Sequence, residues 1–183
     1  HFPYTPIANP RYMVPKWSFG IRPETIQKNV DAARDAGAQV VVLLSHNGFD
    51  VDQKLATIVS GIDVILTGHT HDAVPQALKI NKTLLLSSGS HGKYLGRIDL
   101  DIKGGEVVDY SSTLIPVFSD VISPDFEMKN YIQTVRAPYE SECNRVIGST
   151  SGLLYRRGNF NGTWDDLICQ GIIEERDVEI SLS

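Results

Sequence analysis

Three of the five histidines stand in two short segments, each just after a run of apolar residues. His46 lies in Leu44-Ser45-His46-Asn47-Gly48. His69 and His71 lie in Thr67-Gly68-His69-Thr70-His71-Asp72. Neutral imidazole is the commonest side-chain metal ligand. In a turned loop, His-x-His can aim both rings at one cluster, and Gly68 lets the backbone turn tightly ahead of His69. Asp72, or a backbone carbonyl, is placed to orient a ring from behind. A lone His-x-His is a weak signal. The pairing of strand-Ser-His-Asn-Gly with strand-Thr-Gly-His-Thr-His is a stronger one, and the chemistry it points to is metal binding.

Other polar residues nearby carry less. His91, in Gly89-Ser90-His91-Gly92-Lys93, also follows an expected strand. It is a substrate-side candidate or simply lines a loop. Asp50 and Asp52 follow Asn47-Gly48, and Asp52 is most simply a charge at a helix N-terminus. Asp63 opens a strand. His1 stands in a Pro-rich stretch and receives no role.

The elements that must position these residues are legible from periodicity. Pro23 suits the first turn of a helix, Ile26, Val30, Ala33 and Ala36 form a helical stripe, and Gly37 is a stop. Gln39 to Ser45 is short, β-branched and apolar, which predicts a strand buried on both faces of a parallel sheet. A helix over Asp52 to Val59 and a strand over Asp63 to Thr67 complete a βαβ unit. In an open α/β sheet, ligands bind beyond the carboxyl ends of the strands. The unit therefore delivers the loops of His46 and of His69 and His71 to one edge.

Downstream, residues 77–80 and 83–87 predict two short strands around Asn81-Lys82. Leu95 to Ile102 and Glu106 to Leu114 predict a hairpin through Lys103-Gly104-Gly105. This end of the domain reads as antiparallel, giving a layered α/β fold with a mixed sheet. Pro116 to Pro124 reads as a junction. Residues 125–142 predict a linker helix interrupted near Pro138, Val146 to Leu154 a strand, and Asn161 to Glu175 a helix. Cys169 reads as core, and Trp164 as core or, second, as lining the entrance to a pocket.

Composition sets the outer bounds. With 17 Lys+Arg against 22 Asp+Glu the formal charge is −5, and no basic cluster stands out, which argues against a nucleic-acid partner. The longest apolar run, Val40 to Leu44, is far too short to span a membrane. Cys143 and Cys169 are too few for a disulfide framework. The chain opens on His1 and closes on Glu179-Ile-Ser-Leu-Ser183, which reads as strand interior; a fragment of a longer protein is expected.

Leu43-Leu44-Ser45-His46-Asn47-Gly48 and Gly68-His69-Thr70-His71-Asp72 resemble the closing metal-ligand motifs of calcineurin-like metallophosphoesterases, in particular the 5′-nucleotidase superfamily. Flanking stretches narrow the likeness. Phe2 to Arg11, Ser45 to Leu55, Ile62 to Asp72 and Leu154 to Leu167, which includes Asn159-Phe-Asn-Gly-Thr-Trp164, resemble the SoxB family of thiosulfohydrolases. The likeness runs over essentially the whole chain.

The resemblance implies a layered metallophosphoesterase sandwich, of which residues 1–118 are the C-terminal part. Residues 119–144 would be a linker helix, and 145–183 the truncated start of a 5′-nucleotidase-type C-terminal substrate domain. It implies that His46 and His69 ligate a second metal and His71 a first, with two Mn2+ in the full-length protein. Substrate contacts would fall on Arg156, Arg157, Gly158 and Asn159, with His91 a further candidate. Paired arginines suit a sulfonate; the alternative is an ordinary surface pair. The family's Asp-x-His, bridging Asp and Asn have no match before His46. Those ligands and the catalytic residues are expected upstream of His1, and the free polypeptide is expected to be inactive.

The implied reaction is hydrolysis of cysteine S-thiosulfonate on a sulfur-carrier protein (the Sox YZ complex), releasing sulfate in the periplasm. No nucleic acid or membrane takes part. The competing expectation is a 5′-nucleotidase or phosphodiesterase using the same metals on nucleotide phosphate esters. A third is a binding module that retains the fold without catalysis.

Overall fold

The computed structural model describes residues 11–17, 19–156 and 162–182. They form two compact units, 1–123 and 124–183.

In the first unit, α1 (Pro23–Asp35) begins with Pro23 in its first turn and stops before Gly37. Strand β1 (Val42–Ser45), helix α2 (Phe49–Ile58) and strand β2 (Val64–Thr67) follow as a βαβ unit. β1 and β2 pair in parallel, from Val42 opposite Val64 to Ser45 opposite Thr67. β3 (Leu78–Ile80) and β4 (Thr83–Ser87) come next. β4 inserts parallel to β2, and β3 runs antiparallel along its outer side. The sheet order is β1-β2-β4-β3, the mixed sheet the sequence predicts. β2 and β4 lie adjacent with only a short β3 between them in the chain, because β3 turns back the direction through Asn81, at φ 54°. Asn tolerates that left-handed conformation better than most residues.

Leu43, Ile65 and Leu85 are register partners on one face of this sheet. They pack with Ile26 and Val30 of α1, Leu55 and Ala56 of α2, and Val59 just after it. Burial of these aliphatic groups, about 1.5–3 kcal/mol for each large side chain, holds the helices on that face. The opposite face is met by β5 (Tyr94–Lys103) and β6 (Glu106–Pro116), a separate antiparallel ribbon. Its two-residue turn is Gly104-Gly105, at φ 60° and 82°, where left-handed backbone matches strand twist and glycine carries no Cβ to clash. The ribbon lies close over β4: a Cβ on Gly96 would sit 3.2 Å from Leu86 Cδ2.

One strand expectation is corrected here. β4 is buried at every position, but β1 is not buried on both faces: Val42 is 51% and Leu44 73% exposed. β1 is an edge strand among the described residues, and the β5–β6 ribbon lies over β4. Helices therefore cover the Val41 and Leu43 side of β1, and the Val42 and Leu44 side is open among the described residues.

The second unit contains α3 (Phe126–Arg136), a 3-10 turn over Ala137–Tyr139, α4 (Glu140–Cys143) and α5 (Thr163–Arg176). Asp125 caps α3 by accepting from the Met128 N–H at 2.8 Å. Pro138 breaks the helix, as its missing N–H requires. The strand expected over Val146 to Leu154 does not form. That segment has no pairing partner among the described residues, and Thr150 Oγ1 instead donates to the Gly152 carbonyl in a local turn. The strand expected at 179–183 is likewise absent over its described part, 179–182. Cys169 is half-buried and Trp164 is 41% exposed, so neither is core.

Candidate functional site

The carboxyl ends of β1, β2 and β4 deliver three loops to one edge. His46 follows β1, His69 and His71 follow β2, and His91 follows β4. The His46 and His69 rings lie edge to face, with centroids 5.1 Å apart. His71 and His91 form a second edge-to-face pair at 5.6 Å. All four side chains are exposed. His69, His71 and His91 have φ values of 85°, 61° and 60°. Such left-handed backbone costs a non-glycine residue about 1–3 kcal/mol and persists only where surrounding structure enforces it.

What enforces it is a polar lattice beneath the histidines. Gly68 N–H donates to the Ser45 carbonyl at 3.0 Å, and Phe49 N–H donates to Thr70 Oγ1 at 3.0 Å, so the two loops are tied backbone to backbone and backbone to side chain. The Thr70 hydroxyl in turn hydrogen-bonds the Asp72 carboxylate. The Asp72 carbonyl accepts from Ser87 Oγ at 2.6 Å and from Gly89 N–H at 2.7 Å, which joins the β2 loop to the β4 loop. A Cβ on Gly68 would stand 3.3 Å from His46 Nδ1. The absence of a side chain there lets the two loops approach.

Below them, Asp52 is fully buried. Its Oδ1 accepts from Ser45 Oγ at 2.8 Å and Asn47 Nδ2 at 2.9 Å, and its Oδ2 accepts from Thr67 Oγ1 at 2.5 Å. Asp52 is thus more than a charge in the first turn of α2. The signal that reveals it is that each apolar strand ends on a hydroxyl residue. Asp50 is exposed, and its carboxylate accepts from Gln53 Nε2.

The residues of the second unit stand as follows. Arg156 Nε lies 3.4 Å from Asp165 Oδ1, with the arginine side chain 60% exposed. Arg157, Gly158 and Asn159 lie outside the described residues, as does the stretch 1–10.

The donor chemistry of the histidine edge fits part of a metal shell: paired imidazoles on loops held from below. It does not close one. Among the described residues no three His, Cys, Asp or Glu side chains are grouped to hold a single ion. A cavity of about 740 Å³ opens elsewhere, lined by Arg34, Asp63, Lys79, Lys82 and Glu106 among others. It contains none of the histidines, and Arg34 and Lys82 are already paired with Asp63 and Glu106. The exposed ledge, rather than this cavity, carries the candidate chemistry. No helix among the described residues is long and apolar enough to cross a membrane.

Comparison with known proteins gives this geometry a setting. No family model matches the sequence. The fold matches that of the Thermus thermophilus sulfate thiohydrolase SoxB with a TM-score of 0.86 and 31% identity, over 96% of this chain and 32% of that one. In sequence, the chain is 29% identical over 133 residues to the trifunctional nucleotide phosphoesterase protein YfkN of Bacillus subtilis, covering 69% of this chain and 9% of that protein. It is 40% identical over 65 residues to the uncharacterized metallophosphoesterase YunD of the same organism, covering 36% of this chain and 14% of that protein. The chain thus spans no more than about a third of the length of these relatives. Layered fold and sequence similarity together support placing the chain in the 5′-nucleotidase and metallophosphoesterase superfamily.

Proposed function

We propose that this chain is part of a metal-dependent thiosulfohydrolase. Its substrate is a cysteine S-thiosulfonate carried on a sulfur-carrier protein, the Sox YZ complex, in the periplasm. Water adds to the sulfone sulfur, the sulfane–sulfone bond breaks, sulfate leaves, and persulfide stays on the carrier cysteine. The observation that carries this reading is the similarity to SoxB over 96% of the chain at 31% identity. The flanking motifs around His46, His69 and Trp164 support it.

In this reading His46, His69 and His71 are ligands to two Mn2+, and the other ligands come from elsewhere in the full-length protein. Two bound metals supply an activated water and neutralisation of anionic oxygens. This chain's own residues hold the imidazoles at fixed spacing and present an open ledge that a carrier-protein tail can reach. In this reading Arg156 and Arg157, with Gly158 and Asn159, are substrate-side residues, and His91, whose ring meets that of His71, contacts the sulfonate. Arginine suits that role because its planar fork matches a tetrahedral anion by paired hydrogen bonds.

The second reading is a nucleotide phosphoesterase, favoured by the similarity to YfkN over 69% of the chain. One assay separates the two. The full-length protein, purified with Mn2+, is given thiosulfonate-loaded carrier and, separately, AMP. Sulfate release without phosphate release is the expected result. Phosphate release without sulfate release moves the chain to the nucleotide phosphoesterases.

A further inference from the structure

We propose that Asp52 is a positioning residue for the histidine edge: a buried carboxylate that locks the ends of β1 and β2 together and so sets the spacing of His46 and His69. Its effect on catalysis rests on the function proposed above; its effect on geometry does not.

The argument begins with where the charge has gone. An aspartate in the first exposed turn of a helix gains from the helix dipole while remaining in water. Asp52 instead lies fully inside the fold. Taking a carboxylate out of water is costly unless its oxygens are filled by donors. Three side-chain donors fill them, from Ser45, Asn47 and Thr67. Ser45 and Asn47 flank His46, and Thr67 stands two residues before His69. One carboxylate therefore grips the chain on both sides of the first histidine and just ahead of the second.

Little slack remains between the loops. The Gly68 N–H is bound to the Ser45 carbonyl, and a Cβ at Gly68 would meet the His46 ring at 3.3 Å. A change in the distance between Ser45 and Thr67 is thus transmitted to the 5.1 Å ring separation. The hydrogen bonds of Asp52 described above run to Ser45, Asn47 and Thr67. Asp52 acts through the strand ends, as groups behind metal ligands do elsewhere.

The test compares four forms of the full-length protein: wild type, Asp52→Ala, Thr67→Val and Val59→Ala. Val59 is buried at the other end of α2 and reports loss of packing alone. Thr67→Val removes one donor while keeping the side-chain shape. The first measurement is the nuclear Overhauser contact between the His46 and His69 imidazole protons in histidine-labelled protein, well below each melting temperature. Wild type and Val59→Ala are expected to keep it; Asp52→Ala is expected to lose it and Thr67→Val to weaken it.

The second measurement is turnover. Asp52→Ala is expected to lower kcat about tenfold or more, the range seen when support behind a metal ligand is removed, with KM within about twofold. Asp52→Asn, which still accepts through Oδ1 and can donate to Thr67, is expected to recover part of that loss. An unchanged ring contact and kcat in Asp52→Ala overturns the proposal, as does an equal loss in Val59→Ala. If Asp52→Ala does not fold, Thr67→Val decides: an unchanged contact and kcat there overturns it. If wild type releases neither sulfate nor phosphate, the proposed function fails, and the ring contact alone decides the role of Asp52.

Discussion

Ser45 and Thr67 are register partners at the last position of the parallel β1–β2 pair, and both turn their hydroxyls onto the carboxylate of Asp52. The opposite end of the same strand pair is closed by a second carboxylate. Asp63 Oδ2 accepts from the Val41 N–H at 2.7 Å and from Arg34 Nη2 at 2.5 Å. The two ties share a chemistry but differ in what lies beside them. One supports the histidine edge, and the other closes the far edge of the sheet.

That difference makes Arg34→Ala a test of stability without function. Arg34 also donates to the carbonyls of Ala38, Gln39 and Gly61. Its removal takes a donor from the half-buried Ala38 carbonyl, from the exposed Gln39 and Gly61 carbonyls, and from Asp63, which keeps only the Val41 N–H. A loss of about 2 kcal/mol is expected from unmet polar groups of this kind, read by denaturant unfolding of the full-length protein. Turnover at 25 °C is expected to stay within about twofold, and a larger fall in kcat would mean that the two ends of the sheet are coupled.

Gly68→Ala acts on the other side of the ledger. Its Cβ would press on His46 Nδ1 at 3.3 Å, so the ring must yield by a few tenths of an ångström. Stability should change by less than about 1 kcal/mol, the scale of an ordinary surface effect. kcat should fall roughly tenfold, since misplacement of a reacting group by about 1 Å costs on the order of 100-fold. Wild-type kinetics in this variant would show that the position of His46 does not matter to the reaction.

Dialysis of the full-length protein against a chelator is expected to abolish sulfate release, with recovery on adding Mn2+. His69→Ala is expected to retain less manganese than wild type by elemental analysis. His91→Ala is expected to retain the same amount and to raise KM. Equal manganese in wild type and His69→Ala would remove His69 from the metal set.

Arg156→Ala is expected to raise KM for the carrier substrate about tenfold, the equivalent of one lost charge-assisted contact of about 1.4 kcal/mol. kcat should be unchanged, because a binding contact made equally in ground and transition states alters KM alone. The Arg156 side chain is 60% exposed but that of Asp165 only 14%, so the melting temperature is read alongside, and an unchanged value assigns the KM effect to binding. An unchanged KM would assign the arginine to that surface pair.

Much of the scaffold could be read without coordinates. Pro23 and the stripe of Ile26 and Val30 marked α1, and the apolar runs ending at Ser45 and Thr67 marked two parallel strands. Gly104-Gly105 marked the hairpin, and Pro138 the helix break. These signals are local: each depends on a few neighbouring residues and on the periods of helix and strand. The errors came where a partner was needed. Val146 to Leu154 has residues a strand could use, but no described strand pairs with it. Val42 and Leu44 are as apolar as the residues of β4, yet they stand on an edge strand whose outer face is open among the described residues.

The candidate site divides along the same line. The sequence by itself determined that His46, His69 and His71 follow strand ends, because strand direction and the βαβ connection send those loops to one side of a sheet. Only the tertiary structure decided which rings meet: His46 with His69, and His71 with His91. Only it turned Asp52 inward, because Asp52's direction is set by hydroxyls seven residues before it and fifteen after it in the chain, brought within hydrogen-bonding reach when β1 pairs with β2. Local propensity does not extend that far; sheet register does.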